Sequence, residues 1–372
     1  MKLFNPNPLW FKRDRLPRVR VLTDRYDATY FLAFHFALKS LAQQRKVSFS
    51  SCSKEEFDHF FNPASPIESQ VKKWLDRWQP DLIFLNRFSS PLAIPLVEAC
   101  LKLNIPTVYF IDDNLIEIPA DIPELLQSSH AQTATIETRR QLLQMVNFIW
   151  SSTLSLTAQL QPLLPQKTFI STAYPPYLAD LLNPPPKPHP NPTPQTQALT
   201  LGYMGSKGHN DDLESVADAI AAMLSSHPLV RFETFGTVSM PNRLLQFGAR
   251  VKHHRPVGRY DQFLNYLAKL NWQIGLAPLI DHPFNQCKSP VKYLEYTVCH
   301  IATIAARSGV YEPYIESGKT GILVEDNWQE MINDLIANPQ QCAELVSQAR
   351  VNCANRFPLT NVTDQIMNFV PG

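Results

Sequence analysis

The chain has 372 residues, 44% apolar and 18% charged, which suits two packed domains and excludes disorder for its bulk. Lys and Arg total 34 against 33 Asp and Glu, and the formal net charge of +1 argues against a general nucleic-acid binder. Six scattered cysteines, Cys52, Cys100, Cys287, Cys299, Cys342 and Cys353, form no C-x-x-C pair, so neither a disulfide framework nor a zinc site is expected. No run reaches the ~18 apolar residues of a membrane span. The opening MKLFNPNPLWFKRDR lacks the apolar core of a signal peptide, and the expected location is cytoplasmic. Lys12, Arg13, Arg15, Arg18 and Arg20 cluster before the first strand, either as a solvated arm or as a peripheral contact to the inner membrane face.

Arg18 to Leu22 reads as the first strand. A helix follows from Tyr30 to Gln43, with Phe31, Phe34, Leu38 and Leu41 at helical spacing, then a strand from Arg45 to Ser50. Val71 to Trp78 is helical, and Pro80 opens a buried strand, Leu82 to Leu85, that ends at Asn86 and Arg87. Pro91 to Leu103 reads as a covering helix, and Thr107 to Ile111 is a strand stopping at Asp112 and Asp113. Thr133 to Val146, Asn147 to Trp150, Ser152 to Leu160 and Thr168 to Ser171 continue the alternation as helix, strand, helix and strand. Seven prolines between Asn183 and Gln197 then break it, and a polyproline linker is expected over 183–198.

The alternation restarts with a strand at Leu199 to Met204, the turn Gly205-Ser206-Lys207-Gly208, and a helix from Asp211 to Ser225. Asp211 and Glu214 fit an N-cap and its capping-box partner. Val230 to Phe235 is a strand ending at Gly236. A short helix at Pro241 to Phe247, a brief strand at Arg250-Val251 and a helix from Asp261 to Leu270 lead to the strand Ile274 to Ala277. Strands at Ile301 to Ala305 and Gly321 to Val324 precede a helix at Trp328 to Ile336 with Asn327 and Glu330 at capping positions. Two successive βα arrays imply an α/β chain of two facing Rossmann-like domains. They are expected at 1–182 and 199–354, joined by the linker, with 355–372 returning to the first domain and a cleft between domains as the binding site.

Between the strand ending at Ala277 and the following helix lies NQCKSPVKYLEY, 285–296. Lysines near a helix start suit a diphosphate, and Glu295 one turn in suits sugar hydroxyls. Taken alone, Lys292 and Glu295 are also an ordinary solvated helix pair. Paired acids such as Asp112-Asp113 are open to a metal, acceptor or helix-cap reading. The histidine in Lys207-Gly208-His209 suits either phosphate binding or a helix cap.

The runs LGYMGSKGHNDDL, FGT, WQIGLAPLIDHPFNQCKSPVKYLEY and SGVYEPYIESGKTGILVEDNWQEMINDLI, in this order from Leu201 to Ile336, resemble the carboxy-terminal domain of retaining family-4 glycosyltransferases of the GT-B fold. In the first half, DLIFLNRFSSPLA and TVYFIDDNL fall where that family has matching elements. The resemblance implies a nucleotide-sugar donor, UDP or GDP, and a glycan, lipid-linked or small-molecule acceptor, with no metal or other cofactor. It implies that Glu295 binds the donor ribose and that Ser289, Pro290 and Val291 form the turn at the diphosphate. Gly205, Ser206, His209, Gly236 and Tyr311 complete the donor side. Lys207, Lys288 and Lys292 neutralise the leaving phosphate, while Asp113 serves catalysis and Asn86, Arg87 and Asp112 face the acceptor. Two departures stand out. Cys287 occupies the position, eight before Glu295, where the family often has a second glutamate, and Asn86-Arg87 replaces a histidine common in relatives. A noncatalytic nucleotide-sugar or glycan binder on the same fold is the alternative these departures leave open. A dinucleotide oxidoreductase is disfavoured because no G-x-G-x-x-G follows either first strand.

Overall fold

The computed structural model describes residues 15–120, 126–171, 174–181 and 199–371. The expected linker, 183–198, and Lys12 and Arg13 lie outside the described residues. The chain divides into two compact units: Met1–Pro176 with Cys287–Ser289 and Leu359–Gly372, and Tyr177–Gln286 with Pro290–Pro358.

The first unit is built on six parallel strands: β1 (Arg18–Thr23), β2 (Ser48–Ser53), β3 (Leu82–Asn86), β4 (Thr107–Ile111), β5 (Phe148–Ser151) and β6 (Thr168–Ser171), ordered β2-β1-β3-β4-β5-β6. The continuous apolar runs of β3 and β4 are buried throughout, as strands covered on both faces must be. Phe34 and Trp150 each meet Phe110 edge to face, Phe84 packs tilted against Phe34, and Phe369 of the helix Leu359–Phe369 joins them, its ring 5.7 Å from that of Phe84.

Local backbone chemistry shifts two expected elements. The first helix starts at Ala28, earlier than the apolar periodicity indicates, because the Asp27 carboxylate accepts the Tyr30 N–H at 3.2 Å; it then passes through a π turn, Phe31–His35, into Phe36–Gln43. The next strand is Ser48–Ser53 instead of 45–50, since Arg45 adopts a left-handed φ of 55° in the turn that ends the helix. The basic stretch is corrected as well. Arg15 pairs with Asp81 at 2.6 Å, the Arg18 N–H donates to the same carboxylate at 2.8 Å, and Arg20 is buried with its guanidinium 3.8 Å from the Trp78 ring centroid. These three arginines are tied into the unit and are not a solvated arm.

The second unit has β7 (Thr200–Gly205), β8 (Arg231–Gly236), β9 (Val251–His254), β10 (Ile274–Ala277), β11 (Ala302–Ala306) and β12 (Ile322–Val324), all parallel in the order β12-β11-β10-β7-β8-β9. Strand order reverses between β7 and β10, the switch point at which such sheets open a crevice beyond their carboxyl ends. There β7 and β10 share only the pairs Leu201–Ile274 and Gly202–Gly275. Further along, the buried Tyr296 hydroxyl takes over, accepting the Met204 N–H at 3.3 Å and donating to the Leu276 carbonyl at 2.9 Å. Gly275 makes room for this ring; a Cβ there would lie 2.7 Å from it.

The expected helix from Asp211 to Ser225 is two pieces, Asn210–Glu214 and Ala217–Ser226. Asp211 therefore lies inside the first turn, and Glu214 pairs with Arg243 at 2.6 Å instead of closing a capping box. At the last expected cap the Asn327 amide donates to Glu330 at 3.1 Å and makes no bond to the helix backbone. The region 241–251 is a 3-10 segment, Asn242–Arg250, broken at Gly248, followed by the longer strand β9.

Among the described residues no helix is long and apolar enough to cross a membrane. All six cysteines are free and buried.

Candidate functional site

In the second unit the loops after β7, β8 and β10 meet at the switch point. Gly205 ends β7, and its carbonyl accepts the N–H groups of Thr237 and Val238 at 3.0 and 3.1 Å. That approach requires glycine at 236, which sits at φ 115° with its missing Cβ only 2.3 Å from the Gly205 oxygen. The Lys207 N–H donates to the Thr237 hydroxyl at 3.1 Å, while the Lys207 and Ser206 side chains lie in exposed positions.

His209 and Asp212 are the most tightly organised pair here. Asp212, 3% exposed, has Oδ2 2.7 Å from His209 Nδ1, and its Oδ1 accepts the Ile280 N–H at 2.9 Å. Burial raises the pKa of Asp212, but the histidine, the Ile280 N–H and Lys292 outweigh it and hold the carboxyl below its usual range. One carboxylate thereby ties the loop after β7 to the loop after β10. Sequence reasoning missed Asp212 because its partners come from two separate loops; the only signal was its place three residues after His209.

The helix Val291–Val298 begins at Pro290, which makes no side-chain cap hydrogen bond. Lys292 lies in its first turn with Nζ 5.5 Å from the centroid of the Tyr203 ring. Glu295, one turn on, is not the solvated partner of a surface pair: it is 8% exposed. Burial pushes its pKa up to about 7, against the opposing effects of a hydrogen bond to Tyr260 and the charge of Lys292. Tyr311 is buried near the same carboxyl, and burial together with Asp212 and Glu295 raises its pKa. The structure thus brings together Gly205, Gly236, His209, Lys292, Glu295 and Tyr311, and adds Asp212 and Tyr260.

Glu295 makes a pH prediction with a definite sign. Its folded pKa lies above the value of an unfolded glutamate, so the folded state is penalised once the unfolded chain ionises; stability is lost between about pH 4.5 and about pH 7 and the loss persists above. Glu295→Gln should therefore raise unfolding stability at pH 8 by on the order of 2 to 3 kcal/mol and leave it nearly unchanged at pH 4. Denaturant titrations at the two pH values check this.

Cys287, Lys288 and Ser289 are grouped with the first unit. Cys287 is wholly buried in that unit's core, its thiol pushed up to about 12 by burial, and its carbonyl accepts the Thr153 hydroxyl at 2.9 Å. An apolar plug at this position cannot replace a carboxylate. The Ser289 hydroxyl oxygen is buried with no hydrogen-bond partner.

At the carboxyl edge of the first sheet, Arg87 leaves β3 at φ 52° and its guanidinium lies between Asp27 and Asp112, the latter at 3.2 Å. Asp112 also accepts the Thr29 hydroxyl at 2.6 Å. Burial together with the neighbouring Asp113 raises the pKa of Asp112, against Arg87 and the Thr29 hydrogen bond. Asn86 donates to the Thr23 hydroxyl at 2.9 Å, and Asp113 is half-buried beside Asp112. Asn86, Arg87, Asp112 and Asp113 therefore gather at one edge, with Asp24, Asp27 and Arg139 supplied by segments the sequence did not single out.

A cavity of about 570 Å³ in the second unit lies elsewhere, lined by Leu199, Gln273 and His300 at the amino ends of strands and by Cys342, Val346 and Arg350.

No protein-family model matches the sequence, and no curated protein matches it. Solved structures do. Anabaena HepE in complex with UDP and glucose superposes with a TM-score of 0.63 at 15% identity, covering 95% of this chain and 98% of that one. A sucrose-phosphate synthase from Thermosynechococcus elongatus gives 0.62 at 13%, covering 94% and 97%, and a glycosyltransferase from Rickettsia africae 0.60 at 11%, covering 96% and 98%. At these identities the likeness establishes the fold: two parallel-sheet Rossmann-like units of the GT-B type.

Proposed function

We propose that this GT-B chain is a retaining glycosyltransferase that moves a sugar from a UDP- or GDP-sugar to an acceptor hydroxyl without a metal ion. The observation that carries the reading is the buried Glu295 one turn after Lys292, on a helix that starts beside the switch point of the second sheet. A carboxylate held in a dry pocket suits the two ribose hydroxyls, and an ammonium at the helix start suits a diphosphate. The support from HepE is that its structure contains UDP and glucose.

In this mechanism the bond between the anomeric carbon and the diphosphate oxygen breaks, and its electron pair stays with the phosphate. Lys292, Lys207 and Lys288 meet the developing charge, together with the Val291 N–H and the His209 imidazole oriented by Asp212. Gly205 allows the phosphates to approach the backbone, while Ser206, Gly236 and the Ser289-Pro290 turn shape the loops around them; Tyr311 packs beside Glu295. The acceptor oxygen bonds to the anomeric carbon on the face the phosphate leaves, and its proton passes to the phosphate oxygen. Asn86, Arg87 and Asp112 orient that acceptor, and Asp113 is the carboxylate nearest to them in sequence that could assist the transfer of its proton.

Cys287 specifically favours a second reading, a nucleotide-sugar or glycan binder without turnover, because no carboxylate stands at that position. Incubation with UDP- and GDP-sugars, reading nucleotide release with and without acceptors, separates the two. Release above background is expected for one nucleotide class. Saturable binding with no release on any acceptor would leave the binder, and absence of binding to either nucleotide would remove the transferase and the nucleotide-sugar binder.

A further inference from the structure

The acceptor side of the proposed reaction lies at the carboxyl edge of the first sheet, and the charges there restrict what can bind. Its two principal cations are already engaged. Arg87 is paired with Asp27 and Asp112. Arg139, wholly buried, pairs with Asp24 at 2.9 Å, donates through Nε to the Arg87 carbonyl at 3.2 Å and lies 2.8 Å from His130 Nδ1. Burial, with Arg87 and Arg139 close by, drives the pKa of His130 down to about 3, so that imidazole is neutral. Asp113 adds another acid beside Asp112. Other cations of this unit near the edge are the exposed Arg25, 3.4 Å from the Ser129 hydroxyl, Arg140, which donates to the Ile116 carbonyl at 2.7 Å, and Lys288, assigned above to the leaving phosphate.

Three buried atoms at this edge lack a partner: Arg139 Nη1, on a wholly enclosed cation already paired with Asp24, Asn114 Oδ1, and Asn86 Oδ1, whose need has a sign fixed by its neighbours. The Thr23 hydroxyl donates its proton to the Arg25 carbonyl at 2.7 Å, so toward Asn86 it can only accept, and it does so from Nδ2 at 2.9 Å. The other end of that amide is thereby fixed as Oδ1, an acceptor without a partner on a residue 1% exposed. A hydroxyl or an ammonium group can donate to it; a phosphate dianion cannot, and would also meet the four neighbouring aspartates.

We propose that this edge is a subsite for a polyhydroxylated acceptor that is uncharged or carries an amine, and that it discriminates against phosphorylated sugars. The inference rests on the transferase reading. The subsite works by subtraction: Arg87 and Arg139, the two buried arginines at this edge, are already bound to carboxylates, leaving hydrogen-bond acceptors to receive hydroxyl protons.

The test is ligand-observed NMR on the full chain with UDP present, using glucose, maltose, glucosamine, glucose 6-phosphate and fructose 6-phosphate. Saturation transfer is expected to at least one neutral or amino sugar, with both phosphates at least ten-fold weaker. Asp27→Asn combined with Asp112→Asn, which uncovers Arg87, is expected to narrow or invert that order. Tighter binding of a phosphorylated sugar to the unaltered protein would overturn the proposal, as would binding of no neutral or amino member. UDP signals in the same samples report on the donor site, so loss of UDP binding counts against the transferase reading, whereas the order among sugars counts only here.

Discussion

Lys292→Ala is expected to lower transfer turnover by about two to three orders of magnitude, the cost of removing one donor from a preorganised anion site. Lys292 stands in the first turn of its helix, and both Asp212 and Glu295 sense its charge. It is half-buried, and its ammonium lies over the Tyr203 ring and not inside a core, so the fold should survive the change. Lys292→Arg keeps the charge but spreads it over a planar fork, and should recover part of the activity. Single-turnover nucleotide release, with circular dichroism to confirm folding, makes the measurement. Turnover within three-fold of the unaltered protein would take Lys292 out of the mechanism.

Gly236→Ala should have the largest effect on stability among changes near the site. Its φ of 115° is one that residues with a Cβ rarely adopt, and the added carbon would sit 2.3 Å from the Gly205 carbonyl oxygen. Backbone strain and overpacking each cost about 1 to 3 kcal/mol, so a loss of roughly 2 to 5 kcal/mol is expected. The Gly205 carbonyl is also the acceptor that pulls in Thr237 and Val238, so nucleotide affinity should fall at least ten-fold in whatever protein remains folded. Gly258→Ala is the control, because a Cβ there meets nothing within 4 Å. Chemical denaturation and calorimetric titration with UDP and GDP supply both readouts, and equal stabilities for the two variants would refute the account.

Periodicity made the strands legible where burial is two-sided. Leu82–Asn86 and Thr107–Ile111 are continuous apolar runs with nowhere to go but the centre of a sheet. Boundaries governed by single backbone or side-chain events were not legible: the left-handed Arg45, the Asp27 cap and the break at Ser215-Val216 leave no trace in hydrophobic spacing. The same limit applies to the site. Lys292 and Glu295 are spaced like a surface pair, and only the burial beside Tyr260 distinguishes them from one. Asp212 joins His209, three residues before it, to Ile280 far along the chain, and Arg139 acts through Asp24 and Arg87, both many residues away. Charge counting along the chain likewise read Arg15, Arg18 and Arg20 as one basic cluster, whereas their side chains go to three different partners, Asp81, Gln79 and the Trp78 ring.

The Tyr296 hydroxyl, standing in for a rung between β7 and β10, makes the width of the switch-point gap a property of one phenol ring. The ring belongs to the helix that carries Lys292 and Glu295, so that helix is pinned to the two strands it spans and cannot slide without releasing a backbone amide and a carbonyl into an apolar interior. The spacing between the end of β7 and the helix that carries Glu295 is therefore set by a ruler one side chain long.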